Sequence, residues 1–388
     1  MGKIENLRVE SLAYGGRGVG RIGGKVCFVT GAVPGDEASV EIQKETSSYC
    51  EAVVKDIKKP SPDRIDPVCP YFGACGGCQL QNISYEKELY HKRSQVSELF
   101  KRIGGFETGG ILEDIVASPS EYGYRASVTL HKGAKGYGYF SRGSRAVVEV
   151  DRCPVAVPAI GEDIAAHTKG HSHSDITLKA DHNGKVWSSR TSGERFFTDT
   201  YRGKTMYFSP KGFSQCNRRV AENISETLEK WMLPESKGST FFDIYSGAGF
   251  FSFTVEGEFG ARIGVDDNRV SIDCAKNTVR MLGLRDIKFY RQNAEKDFRA
   301  LFEREKGALN TVLLDPPRKG VGSGLLEMLS AHPEIHFLYY LSCDPARMSR
   351  DSEVITRSGK WQLSRLRPFD MFPRTGCVEV LGEFVRIS

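Results

Sequence analysis

The sequence predicts an α/β protein whose C-terminal part is a doubly wound, mostly parallel sheet, preceded by a small all-β module and a mainly β central region. Three observations carry that expectation. Residues 209–388 alternate short apolar runs with amphipathic stretches of helical length. Residues 1–58 instead alternate short apolar runs with glycine turns, and residues 122–208 return to that β pattern. A chain of 388 residues also exceeds one average domain. We therefore expect three domains, at 1–58, 59–208 and 209–388.

In the first module, strands are expected at 7–12, 26–30, 38–42 and 49–57. Residues 15–21, Gly-Gly-Arg-Gly-Val-Gly-Arg, read as a basic, flexible loop, either a solvated hairpin or a phosphate contact. Arg17, Arg21 and Lys25 would then meet the phosphates, and the module would stand apart from any chemistry. A Pro- and Asp-rich linker at 60–70 leads into a cysteine cluster. Residues 84–102 read as a helix with the apolar stripe Leu89, Val96, Leu99 and Ile103. Central strands are expected at 127–131, 146–150, 176–180 and 206–208. His167, His171 and His173 fall in a Gly/Ser/Lys loop at no metal-ligand spacing, so a solvated loop is the better reading. The last region offers strands at 240–245, 261–266, 287–290, 311–315, 337–342 and 361–366, with helices at 271–282, 324–331 and 347–358. In such sheets the ligand sits beyond the carboxyl ends of the strands.

Composition narrows the class of protein. The net charge is +5, from 54 Lys plus Arg against 49 Asp plus Glu, so any nucleic-acid surface must be a local basic patch. No apolar run reaches membrane-spanning length and the first residues do not read as a signal peptide, so a cytoplasmic location without a membrane partner is expected. Ten cysteines in a reducing compartment point to metal ligands, nucleophiles or core residues more than to disulfides.

The chemistry-bearing motifs fall at strand ends. Asp243-Ile-Tyr-Ser-Gly-Ala-Gly-Phe joins a strand to a helix through Gly247 and Gly249, which let backbone approach a ligand. Nineteen residues after Gly247, Asp266 ends the next strand, where a carboxylate can take two ribose hydroxyls. Sheets that bind NAD and sheets that bind S-adenosylmethionine both use this arrangement. Asn293 follows the third strand, and Asp315-Pro-Pro-Arg the fourth. The prolines hold a rigid turn of a kind typical of nucleobase methyltransferases and of no use to a dehydrogenase. Cys343 ends the next strand in Ser-Cys-Asp-Pro; the dipole of a following helix and Arg347 would both favour its thiolate. C5 of uracil is too weak a nucleophile to take a methyl group from a sulfonium unless a thiolate first adds to C6. A base must afterwards remove the C5 proton, and Glu379, opening an apolar strand, is the candidate. A glutamate at a strand edge with no such role reads equally well from the residues alone.

Together these features resemble the RNA 5-methyluridine methyltransferases, in particular the 23S rRNA uracil-C5 branch that pairs an N-terminal TRAM domain with a [4Fe-4S] cluster. Residues 15–35, with Ala32-Val-Pro-Gly-Asp, look like TRAM, an OB-like RNA-binding barrel, and Phe213-Ser-Gln-Cys-Asn looks like the family's Phe-x-Gln-x-Asn entry to a class I, Rossmann-like methyltransferase domain. The resemblance implies S-adenosylmethionine as cofactor, bound by Gln215, Tyr245, Gly247, Gly249, Phe250, Asp266, Asn293 and Asp315. It implies Cys343 as nucleophile, Glu379 as base, and structured RNA, 23S rRNA above all, as partner. Spacing leaves zinc or an iron–sulfur cluster open for Cys69, Cys75, Cys78 and Cys153; the resemblance favours [4Fe-4S]. The first gap of five residues and the fourth cysteine do not fit a radical S-adenosylmethionine site. Three departures stand out: Ser246 replaces a usual cysteine, Phe250 a usual asparagine, and Arg374 and Cys377 two usual histidines. The competing readings are a tRNA 5-methyluridine methyltransferase, a cytosine-C5 enzyme, which would place cysteine where Arg318 stands, and a non-catalytic RNA-binding or assembly factor.

Overall fold

The computed structural model describes residues 3–190 and 193–387. Strands β1 (Ile4–Ala13), β2 (Arg17–Ile22), β3 (Lys25–Thr30), β4 (Glu37–Glu45) and β5 (Tyr49–Lys59) close into a barrel in the order β1-β2-β3-β5-β4. Its core is small: Leu7, Val9, Cys27, Val29, Val40 and Ala52. The expected flexible loop at 15–21 is mostly strand. Gly18 and Gly20 are there for packing, since a Cβ on Gly18 would lie 2.8 Å from Val9 and one on Gly20 2.5 Å from the Arg8 carbonyl oxygen. Only Gly15 and Gly16, both with positive φ, make the turn. Arg17 lies over the Phe28 ring and pairs with Glu51 at 3.3 Å, Lys25 pairs with Glu45 at 2.8 Å, and Arg21 donates to the Gly24 carbonyl. Two of the three expected phosphate contacts are therefore already neutralised within the barrel.

Helix α1 (Tyr85–Gly104) follows the cysteine-bearing segment and stops at Gly105 in the left-handed conformation. Its buried face is Glu88, Lys92, Gln95, Val96 and Phe100. Of the expected apolar stripe only Val96 is fully buried, and Ile103 is exposed. The face was misplaced because its charged residues find buried partners, as described below.

The central region comprises β6 (Ser127–Lys132), β7 (Tyr137–Phe140), β8 (Val147–Glu149), the short helices α2 (Pro158–Gly161) and α3 (Ile164–Thr168), then β9 (Asp175–Ala180) and β10 (Val186–Ser188). The strands form one sheet, ordered β10-β9-β6-β7-β8. His167 sits in α3 against the Ala159 carbonyl, while the His171 and His173 rings lie 5.9 Å apart. A hairpin of β11 (Phe197–Tyr201) and β12 (Lys204–Phe208) comes next. Expected to belong with the central region, it instead packs Phe197, Tyr201, Met206 and Phe208 into a core shared with the C-terminal sheet.

The remainder is α4 (Arg218–Met232), β13 (Thr240–Ile244), α5 (Phe250–Thr254), β14 (Ala261–Asp266), α6 (Arg269–Leu282), β15 (Ile287–Arg291), α7 (Ala294–Glu305), β16 (Asn310–Leu314), α8 (Ser323–Ala331), β17 (Ile335–Ser342), α9 (Pro345–Thr356), β18 (Trp361–Phe369) and β19 (Glu379–Arg386). The sheet order is β15-β14-β13-β16-β17-β19-β18. Strands β15 to β17 in that order are parallel, and β19 runs antiparallel to both of its neighbours. Alternation along each strand sends side chains to opposite faces. Phe242, Val312, Leu338 and Phe384 pack with α1, α7, α8 and α9, and Phe241, Leu313, Tyr339 and Leu381 with α4, α5 and α6. Both faces are covered, which is why these strands read as continuous apolar runs. Among the described residues, no helix is long and apolar enough to cross a membrane.

Candidate active site

A cavity of about 920 Å³ opens at the carboxyl ends of β13, β14, β16 and β17, between the sheet and the central region. Gln215, Tyr245, Gly247, Asp266, Asp315, Cys343 and Glu379 all line it, and so do Cys69, Cys75, Cys78 and Cys153. The exposed cations Arg152, Lys211, Arg318 and Lys319 line it as well, which makes a local basic patch on a nearly balanced chain.

The glycine turn after β13 is tight. Tyr245, Gly247 and Gly249 all have positive φ, a conformation that costs Tyr245 about 1–3 kcal/mol and is held by the surrounding bonds. The Gly247 N–H donates to the Asp266 carboxylate at 3.0 Å, and the Tyr245 hydroxyl donates to Glu295. Gly249 and Phe250 do not reach the cavity. A Cβ on Gly249 would lie 2.5 Å from the Phe289 ring, and Phe250 is buried edge-on against Tyr201, so both shape the turn from beneath. Asn293 does not line the cavity either; it precedes α7, and its Oδ1 is buried without a partner among the described residues. The buried Ser246 Oγ and Gln292 Oε1 are likewise unpartnered. Asn217 caps α4, accepting from the Val220 N–H, which fixes the Phe-x-Gln-x-Asn segment ahead of that helix.

Strand pairing sets Cys343 beside Glu379. Strand β17 ends at Ser342, β19 begins at Glu379, and Ser342 pairs with Val380 across the antiparallel ladder. Asp315 follows β16 on the other side of β17.

The electrostatics are those of acids in want of a cation. Burial, then the charges of Asp243 and Asp266, push Asp315 up to about 8. Burial raises Asp243 to about 6 against two hydrogen bonds from Ser252, and it also raises Asp266. Glu379 is lifted well above the carboxylate range by burial and then by Asp315, with Arg318 opposing. The Cys343 thiol is pushed up to about 12 by burial and then by Glu379. This reverses the expected thiolate. The Arg347 guanidinium is engaged with the Lys319 carbonyl at 2.7 Å, and the Asp344 carboxylate occupies the start of α9, accepting from the Arg347 N–H.

The loop before Glu379 is clamped from behind by Arg374 and by residues the sequence did not single out. Lys92, 1% exposed, donates to Glu88 at 2.7 Å, to Asp370 at 2.6 Å and to the Phe372 carbonyl at 3.1 Å. Tyr85 donates to the other Asp370 oxygen at 2.8 Å. Arg374, in place of a histidine, is buried with φ 67°; its N–H donates to Glu88, and its guanidinium bonds the Ile83 carbonyl and Glu121. The N–H groups of Gln79 and Leu80, next to Cys78, both donate to the Arg374 carbonyl at 3.0 Å. A Glu/Lys pair four residues apart on a helix ordinarily signals a solvated face, so nothing in the pattern marked this one as buried.

None of the ten cysteines is disulfide-bonded. Burial, with a smaller contribution from the charge of Cys153, raises Cys69, Cys75 and Cys78, the last to about 12. Among the described residues, no three His, Cys, Asp or Glu side chains are drawn close enough together to hold a single metal ion.

Comparison with known proteins agrees with the resemblance in the sequence. Residues 200–384 match the tRNA (uracil-5-)-methyltransferase family and residues 1–55 match the TRAM domain. An uncharacterized RNA methyltransferase of Thermosynechococcus vestitus is 29% identical, over 98% of each chain. The 23S rRNA (uracil(1939)-C(5))-methyltransferase of Klebsiella pneumoniae is 28% identical, over 99% of this chain and 96% of that one. The tRNA (uracil-54, C5)-methyltransferase of Pyrococcus abyssi, solved with S-adenosyl-L-homocysteine, shares the fold, with a TM-score of 0.73 at 21% identity over 98% of this chain and 100% of that one. Residues 200–384 therefore form a domain of the tRNA (uracil-5-)-methyltransferase family, behind a TRAM domain at residues 1–55.

Proposed function

We propose that this enzyme methylates C5 of a uridine in 23S rRNA through a covalent adduct on Cys343, with Glu379 as the base. The observation that supports it best is the shared ladder end: a thiol and a buried carboxyl side by side, with Asp315 one strand away, in a single cavity. When bound, S-adenosylmethionine supplies an electrophilic methyl group and the positive charge that these acids lack. The cavity suits it: Gly247 of the glycine turn brings backbone to its wall, and Asp266 is placed for ribose hydroxyls. Gln215, Tyr245, Gly247, Asp266 and Asp315 would contact it, with Gly249, Phe250 and Asn293 supporting the turn and the edge of the site.

Cys343 first gives up its proton to solvent water, and its sulfur lone pair adds to C6 of the uracil. The C5–C6 π pair shifts onto C5 and, by conjugation, O4. C5 then takes the methyl group, the bond pair returning to the donor sulfur. Glu379, ionised at this stage, removes the C5 proton; the C5–H pair re-forms the double bond, and the C6–S pair leaves on Cys343. A base whose affinity for protons is raised by burial is the stronger for it once ionised. The rim cations would hold the backbone of an RNA whose target base is turned into the cavity.

The rRNA assignment rests on the relatives named for that substrate, aligned over nearly the whole chain, TRAM barrel included. An rRNA substrate also fits the cytoplasmic location expected from the sequence. In a strain lacking this gene, mass spectrometry of digested RNA should show one 5-methyluridine missing from 23S rRNA. Loss from tRNA alone would refute the rRNA assignment and leave the chemistry standing.

We further infer that Cys69, Cys75, Cys78 and Cys153 hold a [4Fe-4S] cluster with a structural role. The four thiols line one cavity, feel one another's charge, and the Gly77 N–H already points at the Cys75 sulfur at 3.4 Å. Anaerobically purified protein should be brown and carry about four irons per chain. Stoichiometric zinc without iron would refute the cluster.

A further inference from the structure

The sequence suggests a barrel that only holds RNA, yet its first turn reaches the nucleophile. The Tyr14 hydroxyl donates to the carbonyl of Cys343 at 3.1 Å, and the half-buried ring packs against the core under the C-terminal sheet. The Gly15 N–H donates to the Gly376 carbonyl at 3.3 Å, in the loop that carries Glu379. Gly376 has no room for a side chain, since a Cβ there would fall 2.4 Å from Gly15 backbone, and neither has the next residue of the turn, Gly16, where a Cβ would fall 2.7 Å from Gln79. Both sides of the contact are held from elsewhere. Arg142 of the central region donates to the Gly15 carbonyl at 3.1 Å, Gln95 of α1 donates to the Leu12 carbonyl at the end of β1 at 2.9 Å, and on the other side Gln79 accepts from the Gly376 N–H at 3.0 Å. The phenol is raised above its ordinary pKa by burial and then by Cys377 and Asp344, so it is a neutral donor at any working pH.

We propose that Tyr14 is a positioning residue for methyl transfer, its hydroxyl holding the Cys343 peptide so that the sulfur meets C6 in line. The proposal rests on Cys343 being the nucleophile. Cys343 stands between the last residue of β17 and Asp344, which caps α9, so its backbone is set by neither element alone. A hydrogen bond from outside both would fix it. Misplacement of a reacting atom by about 1 Å costs on the order of 100-fold in rate. The same turn belongs to the barrel, so seating of the barrel and alignment of the sulfur become one event.

The test compares wild type with Tyr14→Phe and Tyr14→Met, both of which keep apolar bulk and lose the hydroxyl. Each is assayed for kcat and KM with uridine RNA, for the rate of covalent adduct formation with 5-fluorouridine RNA, and for S-adenosylhomocysteine affinity and thermal midpoint. Both variants should form the adduct roughly 10- to 100-fold more slowly, with kcat reduced alike. KM for RNA, cofactor affinity and midpoint should stay at wild-type values. A raised KM with unchanged kcat would make the turn an RNA contact and overturn the proposal, as would wild-type adduct rates, or a rate loss matched by a fall in cofactor affinity or midpoint. If wild type forms no adduct on Cys343, the catalytic reading itself fails, and the positioning role with it.

Discussion

Cys343→Ala is expected to abolish methyl transfer and every covalent adduct, whereas Glu379→Gln should form the adduct and fail to release it. The asymmetry follows from the order of bonds made and broken. Without the sulfur nothing adds to C6, C5 never gains carbanion character, and the methyl group has no acceptor. With glutamine at 379, addition and methylation proceed, and only elimination lacks a base. General-base catalysis is worth about 10²- to 10⁴-fold, so turnover should fall by that much while protein–RNA adduct accumulates on ordinary uridine RNA. With 5-fluorouridine RNA the two variants should separate cleanly, since fluorine at C5 blocks elimination: Glu379→Gln should trap RNA as wild type does and Cys343→Ala not at all. Denaturing gels that resolve the adduct, read beside methyl incorporation, decide it. Equal loss of adduct in both variants would show that the roles are wrongly divided. Burial of Glu379 among acids also predicts that glutamine, which keeps the shape and removes the charge, leaves the fold intact.

The second large effect is on stability. Lys92→Ala strips the cation from Glu88 and Asp370, both of which have no exposed surface. Breaking a buried ion pair by removing one partner costs about 3–5 kcal/mol, because a charge is left unpaired in the interior. Burial lowers the Lys92 pKa, and the charges of Asp370 and Glu88 outweigh it and raise it, so the native amine is charged. Burial, against Lys92, already places Glu88 at about 7. An acid whose folded pKa lies above its unfolded value favours the fold at low pH, and that contribution is lost as pH rises through the folded value. Urea unfolding of Lys92→Ala should therefore show a larger deficit at pH 8 than at pH 6, where Glu88 can take a proton. A deficit under about 1 kcal/mol at pH 8 would mean that the cluster is not a charged network. By contrast, the surface pair Lys58–Asp56, with both side chains more than half exposed, should lose no more than about 1 kcal/mol on the same treatment.

The C-terminal sheet was legible because burial on two faces writes strands as unbroken apolar runs: 261–266 was expected and Ala261–Asp266 is found. Cys343, Asp315, Asp266 and Glu379 were legible for a related reason, as polar residues at the ends of such runs. The barrel's second strand was not. Gly18 and Gly20 look like loop glycines, and only their distances to Val9 and Arg8 show them to be the thin wall of a barrel. The buried face of α1 was hidden too, since Glu88 and Lys92 are interior only because Asp370 and Arg374, nearly 300 residues on, meet them there. Tyr14 carried no signal at all: its contact spans 329 residues, and no local pattern records such a pairing. The thiolate expectation for Cys343 failed differently. It counted the helix and Arg347 and left out burial, the largest influence on the thiol, and the charge of Glu379 beside it.

Strand β19 follows β18 in the chain yet lies between β17 and β18. During synthesis the strand that leads to Cys343 and the strand that will end the sheet are therefore both made before the one that joins them. Until residues 379–386 slot in, β17 and β18 each present an unpaired edge, and Cys343 has no carboxyl beside it. Insertion of a middle strand is a non-local step, slower than adding a hairpin at an edge, and open edges invite pairing with other chains. A growing polypeptide could already offer an RNA-binding barrel and a cofactor turn while remaining unable to complete a reaction. Competence arrives in one late step, when the final ladder closes.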